Sequence, residues 1–536
     1  MPARRREAHF GDRVVWCLER PAASFHAMLA ATVAARPEGE ALVCEGLRLS
    51  WRELDARVAR VAGGLAARGV GRGDRVALFL TNRAEFVVAL FAAQRLGAIA
   101  VPIGAREQGE GLAWILAHCG ARAIVVDAAL APRLPPPAEL PALTLRVVCA
   151  DAPTLDATGL GAVAWSELDD AAPLTEAAAV DEEDTAVILY TSGTTGRPKG
   201  AMLTHLNIAH SVAHFVSCMR LGAQDRSLLA VPASHVTGLI ANVATITAAG
   251  GTLVMMPAFK AADFLALAAR ERITHTLMVP AMYNLALLQP DLARHDLSAW
   301  RVGGYGGAPM PVATIGALAQ RLPGLSLHNA YGATETTSPT TMMPAGLAHA
   351  CADTVGVALP CAEVMVVDDA GRELPPGEVG EIWIAGPMVV RGYWDNPQAT
   401  AREFTAGWWH SGDLGSVDAD GYVRVFDRKK DMVNRGGYKV YSVEVENLIA
   451  ALPGVIEAAV MGRPCPVLGE RVHAVVHTLD ASVDAQAVRA FCAARLADYK
   501  VPDTVSISVE PLPRNANGKL LKRVMRDALG PLTAPP

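Results

Sequence analysis

Tyr190-Thr191-Ser192-Gly193-Thr194-Thr195-Gly196-Arg197-Pro198-Lys199-Gly200 follows directly on the apolar run 186–190. A strand that opens into a stretch of Ser, Thr and Gly, with a lysine behind it, has the chemistry of a phosphate cradle. Small residues let backbone N–H groups and hydroxyls close around anionic oxygens, and the ammonium adds charge. A flexible linker of the same composition needs no Pro-Lys-Gly behind it. The Walker pattern G-x-x-x-x-G-K-[ST] does not fit, because Pro198 precedes Lys199 and Gly200 follows it.

Working outward, the flanks alternate strand and helix signals. Ser50 and Glu53 have capping-box spacing ahead of Leu54, Val58, Val61 and Leu65 on one helical face. The run 76–80, an N-cap candidate at Asn82, a helix through Phe86, Leu90 and Leu96, a stop at Gly97 and the strand 98–102 follow in order. The strand signal repeats at 123–126. After the cradle, Ile208, Val212, Phe215, Val216 and Met219 mark one face of a helix. Strands are expected at 228–231, 252–256, 276–279 and 325–328. This rhythm predicts parallel sheet with helices on its faces. Residues 133–184, with Pro135-Pro136-Pro137 and the acidic run 181–184, read as loops and edge structure. At Asp427 the texture changes to a charged stretch, Gly436-Gly437 and a short α+β pattern, which sets the expected boundary between domains 1–427 and 428–536.

Composition bounds the function. The 536 residues suffice for two cores, and a net charge of −6 with pI near 6.2 offers no general attraction to nucleic acid or anionic membrane. Nine cysteines are scattered without C-x-x-C or zinc-finger spacing, as in a reduced, cytoplasmic protein. No export signal is visible. The uncharged stretch 236–259 is split by Gly250-Gly251, so it reads as a buried helix, a turn and a strand, not as an integral membrane segment.

Further strings carry chemistry. Gly303-Gly304-Tyr305-Gly306-Gly307-Ala308-Pro309 is a glycine turn after a strand, and Asn329-Ala330-Tyr331-Gly332-Ala333-Thr334-Glu335 ends on a carboxylate. Ser411-Gly412-Asp413-Leu414, the charged Asp427-Arg428-Lys429-Lys430-Asp431-Met432, and Pro511-Leu512-Pro513-Arg514-Asn515-Ala516-Asn517-Gly518-Lys519 follow downstream. Pro232-Ala233-Ser234-His235-Val236-Thr237-Gly238-Leu239 lies between the cradle and the glycine turn. In this order the strings resemble the motifs of the adenylate-forming superfamily of acyl-CoA synthetases, nonribosomal adenylation domains and luciferases, over nearly the whole chain. The match is closest to the acyl-CoA synthetases.

The resemblance implies a large, multi-layer α/β N-terminal domain with a small mobile α+β C-terminal lid. It implies ATP, Mg²⁺ and coenzyme A as cofactor and co-substrates. Thr191, Ser192, Gly193, Thr194, Thr195 and Lys199 would hold phosphates, and Gly307, Ala308, Pro309 and Tyr331 would hold adenine. Thr334 would contact the α-phosphate, Glu335 would ligate the metal, and Asp413 and Arg428 would take the ribose. Lys519 would bridge the carboxylate and the α-phosphate, and His235 would stand beside the carboxylate. An acyl pocket is expected from His235, Val236, Thr237, Leu277, Met282, Tyr283, Tyr305, Gly306 and Ala330. Ala233 and Ser234 are smaller than the residues common in the family. Lys430 would be the hinge, with Gly436 and Gly437 on the thiol path. The implied reaction joins an apolar monocarboxylate, fatty or aryl, to coenzyme A through acyl-AMP. Transfer to a separate carrier protein is the alternative.

Overall fold

The computed structural model describes residues 3–19, 22–150, 161–191, 197–514 and 520–529. The chain divides into two compact units. One holds Met1–Val364, Ile384–His410 and Gly421–Val423, and the other holds Met365–Trp383, Ser411–Asp420 and Arg424–Pro536. The units therefore interleave between 364 and 424 instead of meeting at a single cut after 427, because residues 365–383, 411–420 and 424–428 share one sheet.

Two large sheets form the first unit. In the seven-stranded one, Thr185–Thr191, Ile99–Pro102, Arg75–Phe79, Ala123–Asp127, Leu145–Cys149 and Val163–Ala164 run parallel, with Lys199–Thr204 antiparallel at one edge. In the nine-stranded one, Ser326–Tyr331, Val302–Tyr305, His275–Met278, Arg226–Leu229, Thr252–Met255 and Glu40–Cys44 are the parallel core. Helices bury these sheets, so the strands read as continuous apolar runs. Trp51–Ala66 shows why local signals suffice for such elements. Ser50 Oγ accepts from Glu53 N, Glu53 Oε2 accepts from Ser50 N at 2.7 Å, and Leu54, Val58, Val61 and Leu65 face inward.

Two details differ from expectation, and a third, the stretch 236–259, follows it as helix, turn and strand. Asn82 caps no helix: the helix Ala84–Arg95 starts behind Arg83, while the Asn82 amide donates to Val231 O and Met256 O and accepts from Ala233 N. It ties sheet ends together. Leu145–Cys149 is a buried strand inside the region expected to be loops and edges. The stretch 236–259 contains a π-helix Thr237–Ala244, a short helix Thr245–Ala249, Gly250 at φ +71° and the strand Thr252–Met255. No described helix is long and apolar enough to cross a membrane. All nine cysteines are unpaired thiols.

The second unit has its own core. Strands Val455–Cys465 and Gly469–Thr478 pair antiparallel, Val433–Arg435 and Thr504–Ser508 flank the latter, and Val433, Val445, Ile449, Val472, Val476 and Val488 are buried between sheet and helices. The terminal helix Lys522–Leu529 packs through Met525 against Ala459, Met461 and Leu512.

Candidate active site

The first unit gathers its candidate residues where parallel strands end, the place where open α/β sheets bind ligands. Thr191 and Lys199 are paired across the hairpin that brackets the cradle. Ser192, Gly193, Thr194 and Thr195 lie outside the described residues. Gly200, next to Lys199, has no room for a side chain, since a Cβ would stand 2.7 Å from Ile188 Cγ2. That closeness lets a third segment lie alongside: Ala201 bridges Tyr393, Met202 N donates to Gly392 O, and Trp394 N donates to Gly200 O.

Tyr393 is thereby fixed beside Lys199, whose ammonium sits 4.1 Å from the ring centroid. Lys199 Nζ donates to Glu403 Oε2 at 2.5 Å. The Tyr393 hydroxyl lies 2.6 Å from that same Oε2 and 2.9 Å from Glu335 Oε1, one proton serving two carboxylates. Burial pushes the Tyr393 phenol up, and the charge of Glu335 and the contact with Glu403 push it further, so the hydroxyl stays protonated. Burial also raises the Glu403 carboxyl. Bonds from Lys199, Tyr393 and Arg402 outweigh it and hold the group below the usual carboxylate range. Glu335, buried at 8% exposure, thus joins Lys199 through two side chains that the motif strings do not contain. Their signal is faint, since Tyr393 and Glu403 sit in ordinary-looking text at Arg391-Gly392-Tyr393-Trp394 and Ala401-Arg402-Glu403.

The adenine-turn candidates Gly307, Ala308 and Pro309 are exposed beyond the strand Val302–Tyr305, and Tyr331 ends the neighbouring parallel strand. Gly306 must be glycine there, because a Cβ would stand 2.4 Å from Ala330 O. Thr334 and Glu335 begin a single 3₁₀ turn after it.

For the acyl pocket, Leu277 pairs in register with Gly304, Tyr305 follows Gly304 and pairs with Met278 and Asn329, and Ala330 follows Asn329 on the next strand. Leu277, Met282, Tyr305 and Ala330 are buried. Burial pushes the Tyr305 phenol up to about 12. Tyr283 faces elsewhere. Its ring stacks on Trp300 and its hydroxyl donates to Gly304 O at 2.8 Å, so it serves the packing of the helix Pro280–Leu287 and not a ligand surface. Val236 leads into the π-helix, a geometry common at functional sites. Gly238 is obligatory, as a Cβ would stand 2.1 Å from Pro232 O. His235 Nδ1 accepts from Thr237 N at 3.3 Å, which puts the ring proton on Nε2.

In the second unit, Arg428 Nε pairs with Asp413 at 2.7 Å, and Asp413 is 6% exposed. Asp427, raised by burial, accepts from Arg428 N and from both the N–H and the hydroxyl of Ser442, binding the charged stretch to the helix Ser442–Ala450. Lys430 is exposed. Gly436 and Gly437, at φ +60° and +93°, form the two-residue turn between Val433–Arg435 and Tyr438–Val440, a type I′ geometry that disfavours side chains. Lys519 lies outside the described residues. The segment before it and the segment after it are paired, Arg514 with Leu520.

Lys199 and Glu403 are thus paired at the end of the hairpin that carries the Gly/Ser/Thr string, and the glycine turn follows a parallel strand of the nine-stranded sheet. Residues 29–394 match the family of AMP-binding enzymes, and 444–519 match the AMP-binding enzyme C-terminal domain. A feruloyl-CoA synthase of Amycolatopsis sp is 36% identical over 92% of this chain and 96% of its own. The long-chain-fatty-acid–CoA ligase FadD13 of Mycobacterium tuberculosis is 34% identical over 93% and 96%. The crystal structure of ATP-bound MatB from Rhodopseudomonas palustris superposes with a TM-score of 0.82 at 32% identity, covering 94% of this chain and 98% of that one. The chain belongs to the AMP-binding, adenylate-forming enzymes and is an AMP-forming acid–CoA ligase.

Proposed function

We propose that the enzyme activates an apolar monocarboxylate, a fatty or aryl acid, and passes it to coenzyme A. A carboxylate oxygen attacks the α-phosphorus of ATP, the bond to pyrophosphate breaks, and acyl-AMP forms. The thiolate of coenzyme A then attacks the acyl carbon, and AMP leaves with its oxygen. In-line placement and charge neutralisation carry the first step.

The observation that carries this reading is the chain Lys199–Glu403–Tyr393–Glu335. It fixes one cation and one hard oxygen donor beside the cradle before any ligand arrives. Lys199 meets phosphate oxygens, while Tyr393 and Glu403 act as positioning residues. Glu335 suits Mg²⁺, being a buried carboxylate with one oxygen committed only to a neutral hydroxyl. When bound, the ion supplies charge for the phosphates. Asp413 and Arg428 take the ribose, Tyr331 with Gly307, Ala308 and Pro309 takes adenine, and Thr334 takes the α-phosphate. The Nε2–H of His235 donates to the substrate carboxylate, and Lys519 bridges it to the α-phosphate. Lys430 serves as hinge, and Gly436 and Gly437 line the thiol path in the second half-reaction.

The acid class rests on Val236, Thr237, Leu277, Met282, Tyr305, Gly306 and Ala330, which offer no cation to a second carboxylate. An unpaired buried charge there is costly. Relatives named for ferulic and long-chain fatty acids support the same class. Pyrophosphate exchange with straight-chain, aryl and dicarboxylic acids tests it, followed by thioester formation with free coenzyme A or a carrier protein. Fatty or aryl acids with coenzyme A are the expected pair. Preference for a dicarboxylate overturns the pocket assignment, and transfer to carrier alone overturns the acceptor.

A further inference from the structure

The N-terminal hairpin carries side chains that the ligase chemistry does not use. Strands Arg4–His9 and Arg13–Leu18 pair antiparallel, with Arg5 opposite Cys17 and Glu7 opposite Val15. Alternation therefore places Glu7, His9 and Cys17 on one face. Their ligand atoms all lie within 4.8 Å of one another, and His9 and Cys17 are 4% and 1% exposed.

His9 is held in a specific orientation. Its Nδ1 lies 3.0 Å from Glu183 Oε1, an oxygen that also accepts from Phe10 N at 2.9 Å. Glu182 Oε1 stands farther off, at 4.0 Å. With Nδ1–H donating to Glu183, Nε2 presents its lone pair, and this buried atom has no hydrogen-bond partner. It faces Glu7 Oε2 at 3.6 Å. The other Glu7 oxygen is committed to Arg5 Nε at 2.7 Å. A buried ring nitrogen without a partner thus faces the oxygen of a half-buried carboxylate beside a thiol, and that nitrogen costs free energy unless a cation fills the gap.

The separation distinguishes which cation. At 3.6 Å the contact is too long for a hydrogen bond from a protonated ring. Ligand atoms on a tetrahedral metal with bonds of about 2.0–2.3 Å stand roughly 3.3–3.8 Å apart. We propose that Glu7 Oε2, His9 Nε2 and Cys17 Sγ bind a zinc-class divalent ion, with water in the fourth position. The mixed oxygen, nitrogen and sulfur donors suit Zn²⁺ over Mg²⁺ or Ca²⁺. Glu183 plays the outer carboxylate that orients a metal-binding histidine. The ion ties the two strands of the hairpin together, while the His9–Glu183 bond joins the hairpin to the segment ahead of the strand Thr185–Thr191.

The test is titration of chelator-treated, full-length enzyme with Co²⁺ and then Zn²⁺. One equivalent of Co²⁺ should produce tetrahedral d–d bands and a near-ultraviolet thiolate charge-transfer band, both abolished by Zn²⁺, and Zn²⁺ should raise Tm. Cys17→Ser should lose the charge-transfer band and His9→Gln the stoichiometric binding, while Cys351→Ser keeps both. Glu183→Gln should weaken Co²⁺ affinity by about 10–100-fold while preserving the fold, which keeps the test decisive if the ligand variants misfold. Wild-type enzyme without a saturable Co²⁺ spectrum, a charge-transfer band that persists in Cys17→Ser, or unchanged affinity in Glu183→Gln would overturn the site.

Discussion

Lys199 and Glu403 form a charge-assisted hydrogen bond of 2.5 Å across 204 residues of sequence, and both side chains are largely buried. Because the Tyr393 hydroxyl meets the same Glu403 oxygen, the lysine of the cradle is held from two sides, by a carboxylate and by an aromatic face. A long, flexible side chain is thus held in one position, and if Lys199 meets the phosphates as proposed, that lowers the entropy cost of binding.

Glu403→Ala should therefore raise KM for ATP by about 5–10-fold with a smaller change in kcat, and destabilise the fold by roughly 1.5–3 kcal/mol. Glu403→Gln keeps an acceptor for Tyr393 and should recover most of the stability but not the KM. Pyrophosphate-exchange kinetics with urea denaturation separates the two effects. A variant with wild-type KM for ATP would show that Lys199 needs no such support.

The reach of this pair explains what could be read in the chain. Ser50 and Glu53 are legible because both ends of their bond lie within one helical turn. The glycines at 306 and 436–437 are legible because a turn or close approach demands them locally. Glu403 and Tyr393 are not, since what they touch lies 204 and 58 residues away. Leu145–Cys149 was obscured by Arg146, a buried charged residue inside an otherwise apolar strand. Asn82 has the right residue type for a cap, but its amide is spent on two carbonyls 149 and 174 residues distant.

The helix His205–Cys218 makes the same point, because its apolar stripe is matched by buried Asn207, His210, Ser211 and His214. His214 is 1% exposed, neither ring nitrogen has a hydrogen-bond partner, and burial, with the charge of His210, pushes its pKa down to about 3. The unfolded chain takes up this proton below about pH 6.5, and the folded chain only near the depressed value. Stability is therefore unaffected above pH 6.5 and lost progressively as pH falls from there towards 3. His214→Leu should shrink the stability difference between pH 8 and pH 5 by roughly 2 kcal/mol. An unchanged difference in guanidinium titrations at the two pH values would refute the neutral, buried assignment.

In the second unit, Arg428→Ala removes the 2.7 Å ion pair that orients Asp413. If the two grip the ribose, KM for ATP should rise by about tenfold or more, while KM for the acid stays within twofold. Asp413→Ala should do the same more severely. Equal effects on both substrates would move the pair out of the nucleotide site.

Gly436 and Gly437 on one side, and Lys519 on the other, should separate the two half-reactions in opposite directions. Both glycines hold positive φ in a two-residue turn, so Gly437→Leu strains that turn and places bulk on the proposed thiol path. Pyrophosphate exchange should survive while thioester formation falls by at least tenfold. Lys430→Pro, which stiffens the proposed hinge, should behave likewise. Lys519→Ala should reverse the pattern. A fixed cation that neutralises charge as pyrophosphate departs is worth on the order of 10²–10³ in rate, so exchange should collapse. Thioester formation from supplied acyl-AMP should remain, because that step no longer involves pyrophosphate. Measuring both half-reactions on each variant settles the assignments together. Intact thioester formation in Gly437→Leu and Lys430→Pro removes the thiol path and the hinge, and parallel loss of both half-reactions in Lys519→Ala removes the lysine from adenylation.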